Sequence, residues 1–404
     1  MKKELELYLH IPFCVRKCAY CDFLSAPADD KTRQEYVDTL IQEIKSYREE
    51  FREYRVSTVF VGGGTPSILT CRQIREIFRN LKDNFEIDEK AEITIEVNPG
   101  TVTEEKLSAW KQAGINRISI GLQSVNDIEL KMLGRIHDYQ QFLETYRLIR
   151  ESGFHNVNVD LISAIPGQTL ESWSQTLRTV AELNPEHISA YSLIIEEGTP
   201  FYELYGEKGE QKSGGDMYEY TQFSGMDHTA SLPALPDEET DRAIYEATEN
   251  ILKEYGYARY EISNYAKEGY ACKHNIGYWK RTEYLGIGLG ASSLIQKQRF
   301  HNIEDYQKYL EKVRKKETIR MDQETLSQEN EMEEFMFLGL RMMNGIQMSR
   351  FRQLFGKEIW EIYETPLCRM EKAGLLEIQG DAVRLTKRGI DISNYIFEQF
   401  LLTV

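Results

Sequence analysis

Three cysteines near the amino terminus have the spacing of an iron–sulfur ligand set. Cys14, Cys18 and Cys21 form a C-x3-C-x2-C pattern directly after a short apolar run. Three thiolates on one loop can hold three irons of a [4Fe–4S] cube, because such clusters use deprotonated sulfur as their ligand. The fourth iron then lacks a protein ligand and can bind a small molecule. An open metal position of this kind is typical of reactive rather than structural sites.

Spacing alone leaves other interpretations of these cysteines open. Zinc would need a fourth ligand, for which Asp22 or His10 is a candidate. Disulfides are disfavoured, because six cysteines in 404 residues without a recognisable signal peptide indicate a reducing compartment. We therefore expect a cytoplasmic protein, and we favour the cluster over zinc.

Composition argues against two classes of partner. The formal net charge of −16 at pH 7 disfavours nucleic-acid binding by phosphate neutralisation and adhesion to an anionic membrane. No apolar run reaches the roughly 18 residues that a membrane-spanning helix needs. The sequence therefore predicts a globular protein that binds no nucleic acid and is not stably inserted in a membrane.

Short apolar strands alternate with amphipathic helices over the first half of the chain. The first predicted helix takes Asp30 as its N-cap and carries apolar residues at helical spacing, the last of them Tyr47 and Phe51. Six strand–helix units predict an α/β fold with a parallel sheet and are too few for a closed eight-fold barrel. They suit an open, partial (β/α)6 barrel, which we favour over a doubly wound sheet because a doubly wound sheet would bring only its switch-point loops together. The predicted strands are Leu5–Ile11, Thr58–Gly62, Glu92–Asn98, Arg117–Gln123, Asn156–Ser163 and His187–Ile194, with later helices at Cys71–Leu81, Thr103–Ala113 and Leu170–Leu183.

Polar residues and glycines stand where the predicted strands end. The first strand leads into the cysteine loop, the second into the run 62–65 (Gly-Gly-Gly-Thr), the third ends at Glu96 and the fourth at Gln123. Functional groups of such barrels gather at the carboxyl ends of the strands, so we expect one ligand site there. Three glycines allow close backbone approach to a ligand, but the lysine of a phosphate-binding loop does not follow them.

The second half of the chain predicts an insertion and a small terminal domain. Residues 206–231 are polar and glycine-rich, as expected of a loop or lid. Helices at Gln328–Met343 and Phe351–Lys372, followed by a hairpin that turns at Gly380 and Asp381, predict a winged-helix-like unit. We divide the chain into a core barrel with the cysteine loop and lid (1–235), a region that completes the core (236–320) and the winged-helix-like domain (321–404).

The motifs, in their order along the chain, resemble the radical S-adenosylmethionine (SAM) superfamily. The similarity is greatest to its oxygen-independent coproporphyrinogen III oxidase-like branch, and within that branch to the HemW heme chaperones. It implies a [4Fe–4S] cluster on the three cysteines, SAM chelated by the free iron, and heme as a further ligand. The motifs that carry it are YLHIPFC, CAYCDF, VGGGTPS, ITIEVNPG, ISIGLQS, LGRIH, VNVDLI, IPGQT, YEISNYA and HNIGYW.

The resemblance also assigns residues to the SAM pocket and to the ligand position beside it. A carboxylate and an arginine are suitable there, because SAM offers ribose hydroxyls and a carboxylate. The implied residues are Tyr8, Tyr20, Gly63, Gly64, Thr65, Glu96, Gln123, Arg135, Asp160 and Ala190.

His274 begins an HNxxYW segment that also contains Tyr278 and Trp279. On sequence alone, a histidine beside aromatic residues is more often packed than bound to a metal. The resemblance implies heme binding by this segment, in which the imidazole would be an axial ligand and the aromatic rings would cover the macrocycle. Cys272 is a second, less favoured candidate for the axial ligand.

Two features favour a carrier over an enzyme. Oxidases of this branch have a fourth cysteine in a C-x-C ending, whereas this chain has Cys21-Asp22-Phe23, and it starts almost at its first strand. We therefore expect a chaperone that passes heme to a target such as a respiratory cytochrome, and we assign no catalytic residue. The alternative is an oxygen-independent coproporphyrinogen III oxidase, supplied with electrons by flavodoxin or ferredoxin. A zinc-stabilised adaptor is a third interpretation, and a homodimer remains open.

Overall fold

Six parallel strands that pair in chain order form the centre of the fold. The computed structural model describes residues 2–206 and 232–402. Each strand pairs in parallel with the next, and the order does not reverse as it would in a doubly wound sheet. The predicted α/β partial barrel is therefore confirmed. The strands are β1 (Lys3–Ile11), β2 (Tyr54–Gly63), β3 (Ile87–Val97), β4 (Arg117–Gln123), β5 (Val157–Ser163) and β6 (His187–Ser192).

Helices follow these strands and cover the sheet. The N-cap of α1 is Asp29 and not Asp30, because Asp29 has extended backbone angles and its side chain accepts from the Thr32 amide. Tyr47 and Phe51 are buried as predicted, but they lie beyond the end of α1. No helix was predicted at Asp127–Met132 or at Tyr139–Glu151, where the structure has one each. The helices are α1 (Asp30–Ser46), α2 (Cys71–Asn84), α3 (Glu104–Ala113), α4 (Asp127–Met132), α5 (Tyr139–Glu151), α6 (Leu170–Glu182) and α7 (Pro200–Tyr205).

The sheet continues beyond the six strands at both edges. Strand β9 (Tyr284–Ile287) pairs in parallel with β1, and β8 (Asn264–Ala266) pairs antiparallel with β6. Residues 207–231, most of the predicted insertion, lie outside the described residues. The remaining elements here are β7 (Ala258–Glu261), β10 (Ser292–Ile295), β11 (Gln298–Asn302), β12 (Arg320–Thr325), α8 (Glu238–Glu254), α9 (Lys273–Trp279) and α10 (Tyr306–Lys315).

A separate hydrophobic core between Met332 and Phe400 supports the terminal domain. The predicted hairpin is present, and Gly380 at its turn has φ +61°. The helix predicted at Phe351–Lys372 is instead two helices, because Gly356 adopts a left-handed conformation that ends the first. The elements are α11 (Gln328–Gly339), α12 (Met348–Phe355), α13 (Ile359–Lys372), α14 (Lys387–Asp391), α15 (Ser393–Glu398), β13 (Ile346–Gln347), β14 (Leu376–Gln379) and β15 (Ala382–Leu385).

The division of the chain into 1–235, 236–320 and 321–404 stays a proposal. The structure bears on the boundary at residue 320. Strand β12 pairs with β11, so the barrel sheet extends past residue 320 to Thr325.

In the described parts of the chain, no helix combines the length and the apolar character needed to cross a bilayer.

Helix α9 packs against the parallel strands of the barrel. Glu92 on β3 accepts hydrogen bonds from the Lys273 and His274 amides, at 2.9 and 3.3 Å. Glu92 lies beside Thr58 of β2 in the sheet, and Thr58 lies beside Glu6 of β1. Each of these three residues is followed by five more strand residues before the carboxyl end. Helix α9 therefore contacts the barrel well away from the carboxyl ends, where the loop after β1 begins.

The terminal domain contacts the barrel beside α9. The Arg281 guanidinium lies 2.9 Å from the Glu334 carboxylate of α11, which also pairs with Arg299. The Arg341 guanidinium lies 4.4 Å from the centre of the Trp279 ring. Helix α9 is therefore held between the barrel and the terminal domain.

The Glu6 carboxyl beneath α9 should make stability depend on pH. Burial raises its pKa to about 9, and its Oε2 has no hydrogen-bond partner among the described residues. An unfolded glutamate ionises near the ordinary value of 4.5. The folded state therefore binds more protons between these pH values, and the free energy of unfolding falls as pH rises, by at most about 1.4 kcal/mol per pH unit.

Glu6→Gln mimics the protonated carboxyl and should reduce this fall. We expect thermal denaturation to give the variant a higher Tm than the wild type at pH 8.5, with the advantage lost near pH 5. Glu89→Gln, at an exposed carboxylate on β3, is the matched control and should show no such trend. A Tm difference for Glu6→Gln that is constant over this pH range would contradict the assignment.

Candidate cofactor site

One cavity of about 390 Å³ opens at the carboxyl ends of the parallel strands. It brings together groups from the loop after β1 and from the ends of β2, β3, β4 and β5. Eleven of the fourteen residues assigned from sequence line it: Cys14, Cys18, Tyr20, Cys21, Gly63, Gly64, Thr65, Glu96, Gln123, Arg135 and Asp160.

The three cysteines share the loop between β1 and α1 as half-buried free thiols. Backbone hydrogen bonds hold the loop, among them Cys14 to Ala26 and Cys21 to Cys18. Within the described residues, no three His, Cys, Asp or Glu side chains are grouped so that they could hold one metal ion. In a [4Fe–4S] cluster each cysteine binds a different iron, so the three sulfurs need not converge on one point.

His10 is poorly placed to serve as a fourth zinc ligand. Its Nδ1 lies 3.0 Å from the Tyr8 hydroxyl, and its Nε2 lies 2.8 Å from the Leu24 carbonyl oxygen. Both ring nitrogens are therefore occupied. The second of these contacts ties the end of the cysteine loop to β1. The other candidate, Asp22, is exposed and lines the cavity.

Two side chains donate towards cysteine sulfurs. The Thr65 hydroxyl lies 3.4 Å from Cys14 Sγ, and Arg135 Nη1 lies 3.6 Å from Cys18 Sγ. Burial by itself would lower the pKa of Arg135, but its interactions with Cys18 and Tyr20 raise that pKa above the usual value, so the guanidinium stays charged. The guanidinium places a positive charge beside a sulfur of the proposed ligand set. The donor set therefore fits a negatively charged iron–sulfur cluster.

Glycine is required at positions 63 and 64 for close packing against β1 and its loop. Gly63 has φ +106°, and a Cβ there would lie 2.5 Å from the His10 ring. A Cβ on Gly64 would lie 2.5 Å from the Phe13 carbonyl oxygen. Backbone amides at this strand end can consequently approach both the cysteine loop and a ligand in the cavity.

Glu96 and Asp160 form an acidic pair in the cavity wall. Glu96 accepts from the Gly63 amide at 3.1 Å, and Asp160 accepts from the Ser119 hydroxyl at 2.8 Å. Burial, and then the charge of Asp160, raises the pKa of Glu96 to about 8, and burial also raises the pKa of Asp160. At neutral pH Glu96 therefore largely keeps its proton. The pair offers several acceptors to the hydroxyl groups of a ligand.

Tyr20 and Gln123 complete the wall of the cavity. Burial raises the pKa of the Tyr20 hydroxyl, which interacts with Arg135. Gln123 is buried and has φ +78°, at a point where the register between β4 and β5 shifts. A positive φ at a residue other than glycine is uncommon and needs support from its surroundings.

Tyr8 and Ala190 do not line this cavity. The Tyr8 hydroxyl bonds to His10, and its ring stacks on Phe60 inside the barrel. Ala190 lies on β6 opposite Leu161, and its amide donates to the Ser263 carbonyl. Both residues therefore support the barrel wall, and their assignment to SAM remains a prediction.

His274 lies outside this cavity, on α9, and is 2% exposed. Its Nδ1 is 2.7 Å from the Thr58 hydroxyl and its Nε2 is 3.0 Å from the Tyr278 hydroxyl, so neither ring nitrogen is free. Burial lowers its pKa to about 3, which keeps the imidazole neutral. Cys272 is also buried, with its Sγ 3.4 Å from Glu92. Ligation of heme iron by either residue would require α9 to move away from the barrel.

The sequence analysis missed several residues of the cavity. Asn98 donates to Thr65 and accepts from Arg135. Its place two residues after Glu96, at the same strand end, was the signal that could have identified it. Arg16 donates to the Gly134 carbonyl at 2.7 Å. Its position between two of the cysteines was a comparable signal.

Two family models match the chain. Residues 8–180 match the Radical SAM superfamily, and residues 326–392 match the HemN C-terminal domain. Among curated relatives, the heme chaperone HemW of Lactococcus lactis is 32% identical over 402 residues, which cover 100% of this chain and 98% of the relative. HemW of Bacillus subtilis is 33% identical over 98% of both chains, and HemW of Escherichia coli is 38% identical over 71% of this chain and 69% of that relative.

A solved structure has a similar fold. Coproporphyrinogen III oxidase (HemN) from Escherichia coli, described as a radical SAM enzyme, matches with a TM-score of 0.82 over 100% of this chain and 91% of that one. At 24% identity this similarity concerns the fold alone. Identity of about a third along almost the whole chain, together with the two family models, shows that the chain belongs to the HemW heme chaperone family of the radical SAM superfamily.

Proposed function

We propose that this protein holds a [4Fe–4S] cluster and SAM in the strand-end cavity and carries heme to a target protein. One observation supports the cofactor assignment above all. Three free cysteines, two side chains that donate to their sulfurs and an acidic pair line the same cavity. The assignment of heme rests on the names of the relatives, which are heme chaperones.

Each part of the cavity would have a distinct task. A cluster on the three cysteines would supply an iron that chelates the amino and carboxylate groups of SAM. The backbone at Gly63 and Gly64 would lie against the amino group. Glu96 and Asp160 would accept hydrogen bonds from ribose hydroxyls. Because both carboxyls are partly withdrawn from water, their hydrogen bonds to a ligand would be stronger than exposed ones.

For heme, we propose that α9 moves away from the barrel and exposes His274. Of its seven residues, only His274 and Gly277 are buried. The helix is held by hydrogen bonds to Glu92 and Thr58, which water can replace, and by ring contacts of His274 with Phe60 and of Tyr278 with Tyr284, which its movement would have to break. Movement of α9 would break the Thr58 bond to Nδ1, whereas Tyr278 lies on α9 itself and its hydroxyl must turn aside before Nε2 of the neutral imidazole can bind iron.

We also propose a reducing compartment such as the cytoplasm, because all six cysteines are free thiols. The recipient of the heme would be a separate protein, and flavodoxin or ferredoxin would supply electrons if the cluster is reduced. The alternative activity, oxidative decarboxylation of coproporphyrinogen III, predicts formation of protoporphyrinogen IX in an anaerobic reaction with SAM. The carrier proposed here would give none.

Asp160→Asn should weaken SAM binding without removing the cluster. Asp160 accepts hydrogen bonds from Ser119 and Asn158, neither of which is a cysteine, so iron and sulfide content should stay at the wild-type level. Replacing a charged acceptor by a neutral one should cost about 1.4 kcal/mol, or about tenfold in Kd. Anaerobic calorimetry on the reconstituted protein measures this change. Undiminished affinity would remove Asp160 from the SAM site.

Hemin titration tests the heme proposal. We expect a Soret band in the wild type and its loss in His274→Ala. Tyr278→Phe keeps the imidazole but removes the hydroxyl that competes with heme iron for Nε2. Because such a hydrogen bond contributes about 1 kcal/mol, hemin affinity should rise about fivefold.

His187→Ala is the matched control for loss of a buried imidazole. His187 is also fully buried and hydrogen-bonded through both ring nitrogens, but it lies on β6. Its removal should leave the Soret band in place. A wild-type spectrum for His274→Ala, or loss of the band in both variants, would exclude His274 as the specific axial ligand.

A further inference from the structure

Asn98 joins the two side chains that donate to cysteine sulfurs. Its Nδ2 donates to Thr65 Oγ1 at 2.9 Å, and its Oδ1 accepts from Arg135 Nη2 at 2.7 Å. Beyond it, Thr65 donates to Cys14 Sγ and Arg135 donates to Cys18 Sγ. The Asn98 carboxamide is thus linked to Cys14 through Thr65 and to Cys18 through Arg135.

The chemistry of these groups fixes the direction of each hydrogen bond. A guanidinium can only donate, so the Asn98 oxygen must face Arg135 and its amide nitrogen must face Thr65. The Thr65 oxygen therefore accepts from Asn98. Its single hydroxyl hydrogen remains available for Cys14 Sγ. Asn98 consequently determines that Thr65 is a donor to sulfur and not to another acceptor.

The side chain of Asn98 is free for this task because other groups hold its backbone. The Asn98 amide donates to the Ser67 hydroxyl at 3.3 Å, and the Asn98 carbonyl accepts from the Thr101 hydroxyl at 2.7 Å. Arg135 is held by a further bond from Nη2 to the Gly121 carbonyl at 2.7 Å. The local turn therefore does not need the Asn98 carboxamide, whose partners both lead to the cysteines.

Hydrogen bonds to the sulfurs of an iron–sulfur cluster raise its reduction potential, because they stabilise the more negative, reduced state. We propose that Asn98 is a positioning residue that sets the reduction potential of the cluster on Cys14, Cys18 and Cys21 by orienting Thr65 and Arg135. This inference rests on the cluster assignment in the proposed function.

The test is a redox titration monitored by electron paramagnetic resonance on the anaerobically reconstituted full chain without SAM. Asn98→Leu removes the bond that orients Thr65 and one of the two Nη2 bonds that hold Arg135, and should lower the equilibrium constant for one-electron reduction about tenfold, or about 59 mV. Thr65→Val removes the donor to Cys14 alone and should lower it about threefold. Thr65→Ser keeps the hydroxyl and should restore the wild-type potential.

A double variant separates orientation from a local structural effect. Asn98→Leu combined with Thr65→Val should lower the potential no further than Asn98→Leu does, because the Thr65 donor is already misdirected. Thr145→Val is the matched control, since the Thr145 hydroxyl bonds to Gln141 and Gly100 but to no cysteine. It should leave the potential unchanged.

The outcomes distinguish this inference from the proposed function. If the wild type holds no [4Fe–4S] cluster, the proposed function fails and the role of Asn98 fails with it. If the wild type is normal and Asn98→Leu has full iron and sulfide content at an unchanged potential, the role of Asn98 alone is overturned. If Asn98→Leu does not fold, an unchanged potential in Thr65→Val overturns it.

Discussion

The parallel pairing of six strands in chain order is the constraint on which the rest of the structure depends. It puts all six carboxyl ends at one edge of the sheet and all six amino ends at the other. The cysteine loop and Glu96 meet at the first edge because they follow β1 and stand at the end of β3. The HNxxYW helix contacts the sheet away from this edge, through Thr58 and Glu92.

The cysteine site and the α9 contact differ in how their polar groups are satisfied. At the cysteine site, Thr65 and Arg135 point at sulfurs, and Asn98 fixes the direction of both. At the α9 contact, His274 is neutral and hydrogen-bonded through both ring nitrogens, over a glutamate that retains its proton. The first arrangement suits a resident anionic cofactor, whereas the second leaves neither ring nitrogen of His274 without a hydrogen-bond partner.

Local patterns in the sequence predicted the parts of the fold that depend on nearby residues. Strand–helix alternation gave the six strands, and the glycine at position 380 gave the hairpin turn. Errors arose where one residue decides a boundary, as with Asp29 at the start of α1 and Gly356 between α12 and α13. The sequence alone favoured a packed His274, but its partner Thr58 could not be predicted because it is 216 residues away. Asn98 was missed although it stands two residues after Glu96, because its partners Thr65 and Arg135 are 33 and 37 residues away along the chain.

The central claim is that three cysteines leave one iron of a cubane without a protein ligand. Mössbauer spectroscopy of anaerobically reconstituted, ⁵⁷Fe-enriched protein tests it most directly, with spectra recorded before and after addition of SAM. The account predicts a [4Fe–4S] spectrum in which SAM changes the signal of a single iron site. A sample without a cubane signature, or a cubane in which protein donors hold all the irons and SAM changes nothing, would contradict it.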